Sequence, residues 1–127
     1  MDTETSHFFL GRFKNQSLFA KFLKEDFNED DEDAPISPFY GSQGKTFCDH
    51  DSMECGFRGK EPTLKEFFAP YSYAEHWAET LAKKAADAGL EDANALIFIS
   101  KDQISKPRSV KGDGFTLTYL GTIKYPI

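Results

Sequence analysis

At 127 residues the chain has room for one domain, spanning 1–127, and not for two; a domain of this size buries about two-thirds of its unfolded surface without help from disulfides or a metal. A formal net charge of −6 argues against nucleic acid as a direct ligand, which needs a basic face. No apolar run approaches the ~20 residues of a membrane span, and the polar, base-free start from Met1 to Ser6 is unlike a signal peptide, so no membrane partner and a cytoplasmic location are expected.

The charge is unevenly placed. Between Glu25 and Glu54 there are ten carboxylates against one base, Lys45, a local net of −9, while the other 97 residues carry a net of +3. Thirteen phenylalanines, mostly in the first 70 residues, supply the core, since a large aromatic buries roughly 150–250 Å². The two cysteines, Cys48 and Cys55, read as free thiols in a reducing compartment, although their spacing also permits a bridge across a loop.

In chain order, His7 to Phe13 is short and aromatic and predicts a strand, with Gly11 marking a bulge or a close backbone approach. Asn15 or Ser17 caps a helix carrying Leu18, Phe19, Phe22 and Leu23 at helical spacing. An acidic loop, 25–34, is inserted after that helix: seven carboxylates in nine positions from Glu25 to Asp33 repel one another and stay exposed. Phe27 within the run and Ile36, Phe39 and Tyr40 after it read as hydrophobic anchors that pin its ends, and Pro35 and Pro38 hold the exit extended.

From Lys45 to Arg58 one or two irregular strands surround a polar turn at Asp49-His50-Asp51. Thr63 caps a short helix over Leu64 to Phe68, stopped by Pro70. Ser72 and Glu75 form a capping box for a helix ending at Gly89, with Tyr73, Trp77, Leu81 and Ala85 as its apolar stripe. Ala95 to Ile99 is a strand buried on both faces. Lys101 to Gly112 is a basic loop or edge, and Gly114 to Tyr125 a last strand bulged at Gly121. The predicted class is α+β: a mostly antiparallel sheet with helices packed on one face.

Asp49, His50, Asp51, Glu54 and Cys55 place several metal-ligating groups within seven residues. They lack the paired cysteines, or the histidines one helical turn apart, that make ligands converge. The plainer reading is a polar turn whose aspartates bond nearby amides; a small metal-dependent or hydrolytic enzyme centred on Asp49-His50-Asp51 is the alternative. Asp26, Asn28 and Asp30 fail the calcium-loop pattern, because its sixth and twelfth positions fall on Asp31 and Ser37 rather than Gly and Glu. His50 and His76 are the histidines expected near other polar groups. No phosphate loop, dinucleotide fingerprint or Gly-x-Ser-x-Gly elbow occurs, so neither catalysis nor a cofactor is expected. The acid run remains: a dense carboxylate surface on a folded scaffold steers and caps a basic protein, and an acidic adaptor for some other basic partner is a further alternative.

One combination of motifs resembles a known family. Phe8-Phe9-Leu10-Gly11-Arg12-Phe13, then Phe19 and Phe22, the acidic stretch, Ile36-Ser37-Pro38-Phe39, Asp49-His50-Asp51 through Glu54, and Tyr71-Ser72-Tyr73 are together similar to immunity protein family 22 of bacterial polymorphic toxin systems. The similarity covers roughly residues 7 to 100. It departs at the first strand, where Phe replaces a frequent Trp, and in the acid run, which lacks the glycines common there. The resemblance implies a non-catalytic cytoplasmic α+β protein, encoded beside a toxin, that binds and blocks that toxin's domain. The resemblance does not say which toxin; the charge of the acid run suggests a basic one, such as a nuclease whose polyanionic substrate the inhibitor would mimic. The expected contact residues are Asp26, Glu29, Asp30, Asp31, Glu32 and Asp33, with Phe39 and Tyr40 as aromatic anchors and Asp49, Asp51 and Glu54 assisting.

Overall fold

Eleven residues near the N-terminus form the strand around which the rest of the chain is built. The computed structural model describes residues 2–27, 30–31 and 33–127. Its strands are β1 (Thr3–Phe13), β2 (Met53–Phe57), β3 (Ala95–Ser100), β4 (Val110–Gly112) and β5 (Phe115–Pro126). Its α-helices are α1 (Gln16–Leu23), α2 (Pro38–Ser42), α3 (Leu64–Phe68) and α4 (Ala74–Asp87). The sheet runs β2-β3-β1-β5-β4 with every neighbouring pair antiparallel, so β1 is central. The polar residues Thr3 to Ser6 belong to β1 because β5 pairs with them as far as Thr3 opposite Pro126. Gly11 is the close approach of the two alternatives: a Cβ there would lie 2.9 Å from the Thr116 carbonyl oxygen across the ladder.

Strand alternation sends successive side chains to opposite faces, and β1 is apolar on both. Phe8 and Leu10 join Leu96, Phe98, Trp77 and Leu81 in a core beneath α3 and α4. Phe9 and Phe13 join Phe19, Phe22, Phe39, Ile97, Ile99 and Leu117 in a second core beneath α1 and α2. The α+β class and the antiparallel sheet are as predicted. The expectation of helices on one face holds for α3 and α4 only, because the odd-numbered phenylalanines of β1 need a cover of their own. β5 serves both cores through the bulge predicted at Gly121 (φ 95°). Between His7–Thr122 and Phe9–Tyr119 it carries one residue more than β1. That residue reverses the alternation, so Leu117 faces α1 and α2 while Ile123 and Tyr125 face α4.

Local signals set most helix ends. Asn15 accepts the Leu18 N–H at 2.8 Å, and Thr63 accepts that of Glu66 at 3.2 Å. Gly89 (φ 71°) closes α4 with the Leu90 N–H on the Ala85 carbonyl, a left-handed glycine stop. The chain is extended at Ser37, as the bracketing prolines predict; there the Ser37 hydroxyl accepts the Tyr40 N–H at 3.1 Å and Pro38 occupies the first helical position, starting α2, a short helix not foreseen from the sequence. One expectation needs correction. The capping box of Ser72 and Glu75 does not form, because the Ser72 N–H donates to Glu54 and its carbonyl accepts the Trp77 indole N–H at 2.8 Å. Tyr73 takes the cap position instead, in a left-handed conformation (φ 59°) with no side-chain cap bond. Among the described residues no helix is long and apolar enough to cross a membrane.

Phe8 is fully buried against the rings of Trp77, Phe98 and Tyr125. Phe8→Ala is expected to lower the unfolding free energy by about 3–5 kcal/mol in urea denaturation, whereas Lys83→Ala on the exposed side of α4 is expected to stay within about 0.5 kcal/mol.

Candidate partner-binding surface

The acidic loop leaves the end of α1 and is tied down from behind. The Asp26 N–H donates to the Ile36 carbonyl at 2.7 Å and the Ile36 N–H to that of Thr46 at 2.9 Å, while the Thr46 hydroxyl reaches the Asp33 carbonyl at 3.3 Å. Within the loop, Asp31 accepts the Asp33 N–H at 3.0 Å. Asp26, Asp30, Asp31 and Asp33 are all exposed. Glu29 and Glu32 lie outside the described residues.

The second acidic cluster meets the first at Glu25, which a buried phenol holds in place. Tyr40 donates its hydroxyl proton to Glu25 at 2.5 Å, Glu25 stands 3.6 Å from His50 Nδ1, and His50 Nε2 stands 3.5 Å from Asp51. Burial, reinforced by the hydrogen bond to Glu25, pushes the Tyr40 phenol well above its ordinary range. It therefore stays a donor at neutral pH. Asp49 and Asp51 are exposed and sit at a single 3-10 turn, His50–Ser52, where Asp49 accepts the Asp51 N–H at 3.0 Å and Gln103 accepts the Asp49 N–H at 2.8 Å. The plainer of the two readings, an aspartate-braced turn, matches this geometry. Among the described residues no three His, Cys, Asp or Glu side chains stand close enough to hold a metal ion. The cysteines are free, Cys48 buried and Cys55 exposed. Desolvation pushes both thiols up, with Glu54 adding to the effect at Cys55; a thiol pushed up is a poor nucleophile at neutral pH.

Other expected site residues fall elsewhere. Phe39 and Tyr40 are 0% and 1% exposed, because α2 turns them onto the sheet, Phe39 against Phe9 and Phe22; neither can anchor a partner. Phe27, expected to pin the loop as they do, is 70% exposed instead. It lines an open groove of about 720 Å³ with Pro35, Ile36 and Pro38. Phe47, which the sequence suggests as an anchor of the irregular strands around the Asp49-His50-Asp51 turn, is 52% exposed and edge-on to Tyr40. Glu54 belongs to the other side of the sheet: its strand neighbour Met53 packs on the α1–α2 core, whereas Glu54 pairs with Phe98 and accepts the Ser72 N–H at 3.1 Å. Among the histidines, His7 was passed over. It is buried, with Nε2 donating to the Ile104 carbonyl at 2.9 Å and Nδ1 2.8 Å from the Tyr119 hydroxyl, and so fastens the 101–104 segment to β1.

Tyr40→Phe removes a hydrogen bond to a carboxylate and is expected to cost about 1.5–3 kcal/mol. The folded state holds this proton more tightly than the unfolded chain does. The stability it contributes is therefore complete below about pH 10 and is lost as pH rises through and beyond that value. Urea denaturation across pH 8–11 is expected to show a shallower alkaline decline for Tyr40→Phe than for the unsubstituted protein.

Compared with known proteins, the chain matches the family model described as Immunity protein 22 over residues 7–126. No curated protein and no solved structure matches it. The match runs past residue 100, where the motif resemblance stopped, and takes in β4 and all of β5. Covering nearly the whole sheet and both cores, it shows that the chain belongs to the Immunity protein 22 family.

Proposed function

We propose that the chain is a non-catalytic inhibitor that binds a basic toxin domain, a nuclease in the first instance, through the acidic surface beside α1 and α2. The family supports a toxin as partner. The observation that supports this surface is the Glu25–His50–Asp51 link, which brings the first carboxylate of the acidic run to the 3-10 turn. Asp26, Asp30, Asp31 and Asp33 present the first set, with Glu29 and Glu32 contributing by sequence; Asp49 and Asp51 present the second. Phe27 and Phe47 replace Phe39 and Tyr40 as the aromatic contacts, because exposed aromatics at the margin of a charged patch are the residues that carry interface energy once desolvated. Carboxylates held on a braced loop cost little reorganisation on binding and speed encounter with a cationic partner.

The test is neutralisation of the toxin encoded beside this chain's gene. Asp30→Lys/Asp31→Lys/Asp33→Lys is expected to slow association by about 10- to 1,000-fold at low salt with an unchanged unfolding midpoint, and to forfeit protection in cells. Raising ionic strength beyond the physiological range is expected to slow the unsubstituted protein in the same way. Unchanged affinity in the reversed variant would sink this surface; tight binding to a basic protein without protection from any toxin would favour an adaptor instead.

A further inference from the structure

On the other side of the sheet, a second recess has chemistry that the acidic loop does not explain. The beginnings of β1 and β2, the ends of β3 and β5 and the turn into α4 enclose a cavity of about 210 Å³. Glu4, Asp51 and Glu54 line it, with no Lys, Arg or His among its lining residues. Glu4 accepts from the Ser100 hydroxyl at 2.6 Å and Glu54 from the Ser72 N–H at 3.1 Å, each through one oxygen. The walls are aromatic and apolar: Tyr73, Tyr125, Phe98 and Ile127. The Tyr73 and Tyr125 rings lie 6.2 Å apart, tilted by 36°, and Tyr73 is 45% exposed at the mouth. Its left-handed backbone, unique among the described non-glycine residues, puts it there. Burial, with lesser contributions from Glu4, Glu54 and Tyr73, holds the Tyr125 phenol above its ordinary value.

Carboxylates and aromatic rings that line one recess without a lysine, arginine or histidine among them favour a cation. Among the described residues no group of three potential ligands could hold a metal ion, so the cation is an organic one. Its alkyl stem would lie along Phe98 and Ile127, and its charged head would meet ring faces and carboxylate oxygens together. We propose that this cavity seats one arginine side chain of the protein partner. The proposal rests on the reading of the chain as an inhibitor of a basic protein and adds a second point of contact to it. Asp51 borders both the cavity and the acidic face, so a partner engaging both would straddle the start of β2, an edge strand of the sheet.

The test needs no toxin. In ¹H–¹⁵N spectra of the full chain, Nα-acetyl-arginine amide is expected to give saturable shifts centred on Glu54, Ser72 and Tyr73, and the neutral citrulline analogue to bind about tenfold more weakly. Glu4→Gln/Glu54→Gln keeps both hydrogen-bond acceptors and is expected to abolish that preference while leaving the rest of the spectrum in place. Equal shifts with citrulline, shifts confined to residues 30–33, no saturable response, or a preference that survives the double substitution would each overturn the seat. None of these results bears on the loop reversal in the toxin assay, and failure there leaves the arginine titration standing, so the two readings fail separately.

Discussion

A central strand that is apolar on both faces must be covered twice. Phe8 and Phe9 are adjacent in sequence, both 0% exposed, and belong to different cores. A sheet of five strands with one solvated face would leave Phe9 and Phe13 in water. The two short helices α1 and α2 prevent this, covering them with Phe19, Phe22 and Phe39. The bulge at Gly121 follows from the same requirement, because β5 must face one core beside Phe9 and the other beside Ser6.

That division also decides where the acidic loop can stand. A helix laid over Phe9 and Phe13 has to be linked to another over the same core, and the link from α1 to α2 is the carboxylate-rich segment. Its charges cannot enter the core, so they project outward while backbone hydrogen bonds from Asp26 and Ile36 hold the segment against residues 36–46. Tyr40 joins the two regions. Its ring is buried with the α2 core and its hydroxyl reaches Glu25, so the inner end of the carboxylate surface is fixed by the same helix that fills the core.

Features governed by local chemistry were legible in the sequence: the caps at Asn15 and Thr63, the glycine end of α4, the bulge at Gly121 and the buried β3 run. Features that depend on the far side of the molecule were not. Ser72 has the right spacing for a capping box, but Glu54 on β2 and Trp77 one turn on take its backbone groups. Phe39 and Tyr40 were expected both to pin the end of the loop and to contact a partner; α2 buries them, which leaves only the first role. Ser37-Pro38 carries a local helix-start signal, a cap followed by a first-turn proline, just beyond the extended stretch that the two prolines bracket. Of the acidic residues expected to act together, Asp49 and Asp51 do border the loop, whereas Glu54 faces away, since strand parity separates it from Met53 and no sequence spacing fixes parity without the strand's register.

The surface beside α1 and α2 is therefore a consequence of core construction as much as of charge, and its use can be read directly. Hydrogen–deuterium exchange of the chain alone and in complex with the toxin domain proposed as its partner would map the contact. Protection concentrated in residues 26–33 and 47–51, with α4's outer face unchanged, is the expected result. Protection confined to α4 and β4, with exchange in the acidic loop unaltered, would contradict it.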